Sequence, residues 1–173
     1  EFERGILEAW EKCAKEEGLF RTDYSKTVRK EVGDGLLAQF NPEHIAKKRP
    51  TTISAPKDAP TLPVSRPFNA DGFHFLKAAR KETVLRFSDG CKTWESGPWA
   101  DEDDAKGLVH VGMVNVSPLL SPHCLVMPWM RECRPQVLTA DAIGVAFDLV
   151  RKAPKLRVGF NSLAAWASVN HLH

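Results

Sequence analysis

From residue 50 to 67 the chain reads PTTISAPKDAPTLPVSRP, five prolines in one short stretch. Each proline lacks an amide donor and holds φ near −65°, so this stretch cannot run as a helix or through the middle of a sheet. It is expected to lie extended across a surface. Regular structure must come from the residues on either side, and those residues show two different periods.

On the N-terminal side, RGILEAWEKCAKEEG repeats Ile6, Leu7, Trp10, Cys13 and Ala14 at helical spacing, with Gly18 as the stop signal. A short strand around Leu36 to Phe40 follows, broken at Pro42, and then the basic trio Lys47, Lys48 and Arg49. On the C-terminal side FHFLKA and ETVLRFS alternate like strands. LVHVGMVNVSP and HCLVMP read as an antiparallel pair joined by the turn SPLLSP. Residues 89–107 are rich in Gly and charge and read as a surface loop, whose acidic run Asp101 to Asp104 is taken as solvated rather than as a metal cage.

TADAIGVAFDLVRKAP predicts a helix with Thr139 as N-cap, Asp141 in the first turn, and an apolar stripe of Ile143, Ala146, Phe147 and Val150. Arg151 and Lys152 suit its C-terminal end, and Pro154 closes it. LRVGFNSL returns as a strand, and a short bend leads to a last strand, ASVNHLH. The class is therefore α+β, an antiparallel sheet flanked by helices on one side.

A chain of 173 residues, 43% of them hydrophobic, suits one compact domain over 1–173. The net charge of +2 supplies no broad field for nucleic acid or an anionic membrane, and neither partner is implied. No apolar run approaches the roughly 20 residues that span a bilayer. The N-terminal EFERGILEAW also lacks the order of a signal peptide. Four cysteines, Cys13, Cys91, Cys124 and Cys133, form no Cys-x-x-Cys pair and read as reduced thiols in a cytoplasmic protein. No metal site or cofactor is expected, since zinc needs about four converging ligands.

Two of the six histidines fall one residue apart in ASVNHLH. Period-two alternation puts His171 and His173 on one side and Asn170 and Leu172 on the other. A histidine that gives one ring N–H to a nearby carbonyl keeps a bare lone pair on its other nitrogen, which makes a nucleophile or a metal ligand. Spacing alone fits equally well two polar residues on the wet face of a half-buried strand.

Taken in order, GLLAQFNPEHIAKKRP, RPFNADGFHFLKAARKETVLRF, VNVSPLLSPHCLVMPWMRECRPQ and LRVGFNSLAAWASVNHLH resemble the GDP-hexose phosphorylases of the histidine-triad superfamily, over nearly all 173 residues. The resemblance implies a histidine-triad-like domain and a nucleotidyl transferase, with GDP-glucose and inorganic phosphate as partners and no cofactor. GDP-D-glucose would undergo phosphorolysis to GDP and glucose 1-phosphate through a guanylyl-histidine. His173 takes the nucleophile's role, with its other N–H on a main-chain carbonyl of the motif, and His171 is an orienting or phosphate-side partner. Asn161 and Ser168 match groups that donate to phosphoryl oxygens. Asn170 and His123 are read as supporting contacts, and Lys48 and Arg49 as phosphate contacts. A homodimer fits sheets or helices that pair between copies. The chemistry has its own logic, because a neutral imidazole titrating near 6.5 can both attack and leave.

Two departures from the family pattern stand out. Its bend carries glycine, whereas SLAAWA puts Ala165 and Trp166 there. The Gln or His two positions beyond His173, and the family's C-terminal portion, lie outside these residues. The chain is therefore expected to be the N-terminal part of a longer enzyme and to be weak or inactive alone. A non-catalytic nucleotide-binding or protein-interaction module is the alternative reading.

Overall fold

A computed structural model of the protein describes residues 1–47 and 65–173. Lys48, Arg49 and most of the proline-rich segment lie outside the described residues.

Among the described residues, three α-helices and two antiparallel sheets give the α+β class expected from the pattern. α1 (Phe2–Ala14) buries Phe2, Ile6, Trp10 and Cys13, a stripe at the spacing of one helix face. β1 (Val28–Glu31) and β2 (Leu37–Phe40) form a separate hairpin. Pro42 does not merely end β2; it opens a short helix, α2 (Pro42–Lys47), as first-turn prolines can. The main sheet has the order β4-β3-β5-β6, from β3 (Thr83–Phe87), β4 (Trp94–Ser96), β5 (His110–Val114) and β6 (Cys124–Met127). β5 and β6 pair antiparallel, Val111 opposite Met127 and Val114 opposite Cys124, as their alternation predicted.

Alternation along these strands separates two cores. Leu85, Phe87 and Val114 join Ile6 and Trp10 of α1 and Val145 and Leu149 of α3 (Ala140–Lys152). Val111, Met113 and Met127 point the other way, toward Phe75, Trp99, Met130 and Val169. Both long helices thus cover one face of the sheet, and the segments on either side of the histidine pair cover the other.

Several expectations are corrected. FHFLKA is no strand: Phe75–Lys77 is a 3₁₀ turn, and Lys77 Nζ donates to the carbonyls of Ala70, Asp71 and Gly72 at 2.7, 3.1 and 2.9 Å. The acidic run is not simply solvated. Asp103 is buried and accepts from Arg86 Nη1 at 2.8 Å, and its other oxygen accepts the Ala100 N–H at 2.7 Å. Within the expected surface loop, Trp94–Ser96 forms an edge strand on β3. Thr139 caps α3 as predicted, its Oγ1 accepting the Ala142 N–H at 3.3 Å. The face that α3 buries is Ala142, Val145 and Leu149, one position off the predicted stripe, and Phe147 is 72% exposed. Neither LRVGFNSL nor ASVNHLH belongs to a sheet. The end of the chain is buried instead against the loop before α3, where the Leu172 N–H donates to Arg134 O at 2.8 Å.

Candidate functional site

The site is built where residues 167–173 run between the 3₁₀ turn at Phe75 and the loop after Met130. His171 is fully buried. The Phe75 N–H donates to its Nδ1 at 3.2 Å, so its proton is on Nε2, which faces the Met130 carbonyl at 2.9 Å. Both ring nitrogens are therefore occupied. Burial pushes the pKa of His171 down to about 4, so the ring is neutral near pH 7.

His173 is held differently. It is partly exposed, and its Nδ1 lies 2.7 Å from the carbonyl of His171, an acceptor, which puts the proton on Nδ1. Nε2 keeps its lone pair and makes no hydrogen bond among the described residues. Burial lowers the pKa of His173 as well. The Phe75 ring stands edge-on to the His173 ring at 5.0 Å and lies 5.6 Å from that of His171, so both imidazoles meet one aromatic wall.

The other residues singled out in the sequence divide. Asn170 lies beside the pair but gives its amide to main chain: Oδ1 accepts the Gln136 N–H at 2.9 Å, and Nδ2 donates to Arg66 O and Pro67 O at 3.3 and 2.8 Å. It is a strut. Asn161, exposed, donates from Nδ2 to Ala165 O at 3.0 Å and closes the bend. Ser168 is partly buried on the run into the histidines. His123 is engaged in the β5–β6 turn, its Nδ1 accepting the Leu119 N–H at 3.1 Å and its Nε2 meeting Asn115 Nδ2 at 3.3 Å. None of these bonds reaches His171 or His173. Lys48 and Arg49 lie outside the described residues.

Residues that the sequence did not flag complete the arrangement. Gln136, fully buried, accepts the His173 N–H on Oε1 at 2.8 Å and donates from Nε2 to the carbonyls of His173 and Asn161, both at 3.0 Å. Its only sequence signal was a glutamine after Pro135. His74 is buried beside Phe68 and His171, ring centroids 5.2 and 6.2 Å away, and burial lowers its pKa. Two surface cavities, of about 410 and 490 Å³, lie beside Tyr24 and Trp94, and no histidine lines either. Among the described residues no three His, Cys, Asp or Glu side chains converge on a cation position. The arrangement thus presents one neutral, oriented imidazole, suited to nucleophilic attack.

A family model described as GDPGP1-like, N-terminal domain, matches residues 1–173. Among curated proteins the chain is similar to GDP-D-glucose phosphorylase 1 of Danio rerio, 35% identical over 160 residues, with 90% of this chain and 40% of that protein covered. It is similar to GDP-D-glucose phosphorylase 1 of Homo sapiens, 32% identical over 181 residues, covering 99% and 42%. It is similar also to GDP-L-galactose phosphorylase 2 of Arabidopsis thaliana, 31% identical over 166 residues, covering 90% and 36%. The chain spans well under half the length of these relatives. No solved structure matches.

Proposed function

Because the chain belongs to the GDPGP1-like family through its N-terminal domain, we propose that the natural protein is a GDP-hexose phosphorylase that transfers a guanylyl group through His173. Nε2 of His173 attacks the α-phosphorus of GDP-hexose. The bond from that phosphorus to the hexose 1-phosphate oxygen breaks, and hexose 1-phosphate leaves. An oxygen of inorganic phosphate then attacks the guanylyl-histidine, the N–P bond breaks, and GDP departs with the imidazole restored. The observation that carries the reading is the tautomer of His173, bare at Nε2 and protonated at Nδ1 against the His171 carbonyl at 2.7 Å.

That carbonyl serves twice. It selects the tautomer in the resting protein, and it stabilises the positive charge that grows on the ring as the N–P bond forms. The lowered pKa keeps the lone pair free near neutral pH. His171 contributes its main chain and its packing, since both its ring nitrogens are engaged. Asn161 keeps its second amide proton for a phosphoryl oxygen, and Ser168 offers a hydroxyl from the same approach. Lys48 and Arg49 are proposed to add positive charge.

D-glucose is the proposed hexose, in line with the names of the relatives from Danio rerio and Homo sapiens. The test supplies GDP-glucose and phosphate to the full-length gene product, with GDP-L-galactose as competitor. Phosphate-dependent release of glucose 1-phosphate and a protein mass gain of one GMP, lost in His173→Ala, are the expected results. An adduct that survives in His173→Ala, or release of glucose 1-phosphate over many turnovers without phosphate consumption, would remove the reading.

A further inference from the structure

The geometry points to Gln136 as the positioning residue of His173, an inference that rests on the reading of His173 as nucleophile. Gln136 follows Pro135 in the loop that leads to α3, and its side chain is fully buried. A primary amide has two N–H groups, and its oxygen can accept. Here the oxygen accepts the His173 N–H at 2.8 Å, and the nitrogen donates to His173 O and Asn161 O at 3.0 Å each. A flipped amide would set donor against donor and oxygen against two carbonyls, so the network itself determines which end is which.

The side chain thus takes the place of a neighbouring strand. By gripping the N–H and C=O of one residue it fixes the backbone on both sides of the His173 Cα, and hence the direction of Cβ. The remaining freedom of the ring is taken up by the Nδ1–H bond to His171 O and by the Phe75 ring. The aim of Nε2 follows. The third bond, to Asn161 O, ties the bend bearing the proposed phosphate contact to the same amide, so Gln136 sets the spacing between nucleophile and bend. Asn170 secures the device from behind by accepting the Gln136 N–H at 2.9 Å.

Glutamine suits this place for a chemical reason. Glutamate of the same shape still accepts from the His173 N–H when ionised but turns a carboxylate toward two carbonyl oxygens. Once protonated it donates to one of them. Methionine fills the volume and makes none of the bonds. The titratable rings nearest the site, His171, His173 and His74, all have pKa values lowered by burial.

The test uses the full-length gene product. In wild type, ¹⁵N-histidine NMR is expected to report His173 protonated on Nδ1 and bare on Nε2. In Gln136→Met the two tautomers mix, and kcat for guanylyl transfer falls about tenfold to a hundredfold with KM for GDP-glucose little changed. In Gln136→Glu the defect relative to wild type at the same pH narrows as the pH falls, which lost packing alone would not produce. A wild-type tautomer and kcat in Gln136→Met, or a Gln136→Glu defect independent of pH, overturns the inference. Should Gln136→Met fail to fold, the pH series on Gln136→Glu decides. Should wild type form no guanylyl adduct at all, the phosphorylase reading fails, while the tautomer spectra still judge Gln136.

Discussion

At the scale of single residues, the site is a matter of where protons rest. His171 and His173 are the same residue type two positions apart, yet main-chain partners give them opposite tautomers: Nε2–H in His171 and Nδ1–H in His173. ASVNHLH joins no sheet, so the alternation read from it does not place the two rings; their common contact with Phe75 does. The His171 carbonyl two residues away leaves Nε2 of His173 bare, whereas the tautomer of His171 depends on the Phe75 N–H, 96 positions away. The same burial predicts a pH dependence of stability. His171 has a pKa of about 4 when folded and near 6.5 when unfolded, so the unfolded chain binds the extra proton first as the pH falls. The stabilisation is whole above 6.5 and is lost on descent toward 4, on the order of 3 kcal/mol for this ring. Urea midpoints measured from pH 7 to 4 should fall accordingly, and His171→Asn should flatten that fall. A slope identical to wild type in the variant would show that some other group is responsible.

Elements carry a second set of consequences. In α3 two apolar stripes run side by side, Ile143, Ala146, Phe147, Val150 and Ala142, Val145, Leu149, about 100° apart on the helix. Periodicity identified the helix and its Thr139 cap, but either stripe would satisfy it. The sheet decides by burying Val145 and Leu149. Leu149→Ala should therefore cost about 2–5 kcal/mol in chemical denaturation, whereas Phe147→Ala should stay within about 0.5 kcal/mol. Equal costs would mean that the helix packs by its other face. In the bend SLAAWA, Trp166 adopts φ 74, a left-handed conformation that favours glycine, which is the residue the family resemblance led one to expect there. Trp166→Gly and Trp166→Ala both remove the ring, so comparing them isolates the backbone. Gly should be the more stable of the two by about 1 kcal/mol. A more stable Ala variant would contradict the left-handed assignment.

At the scale of the whole molecule, one sheet separates support from chemistry. The face under α1 and α3 is apolar and bears none of the proposed site, while the opposite face carries Phe75, Met130 and the approach to the histidines. Substitutions should divide in the same way. Phe75→Leu is expected to cost about 1 kcal/mol in stability and to slow guanylyl transfer by tenfold or more. Leu149→Ala, the costlier change for folding, should leave transfer by the folded protein nearly unchanged. Single-turnover transfer measured beside denaturation would check this, and a loss of transfer in Leu149→Ala to match Phe75→Leu would break the division. Patterns that depend on neighbours in the chain were legible from the start: α1, the cap of α3, the β5–β6 pair and the α+β class. What stayed hidden depends on partners distant in sequence: the ion pair of Asp103 with Arg86, the choice of stripe on α3, and the clamp of Gln136 on His173 in place of a strand ladder. Local periodicity reports which side of an element is apolar, but hydrogen bonds between distant segments are made only once the chain is compact, and those bonds, from Gln136 to the main chain of His173, decide where the imidazole is held.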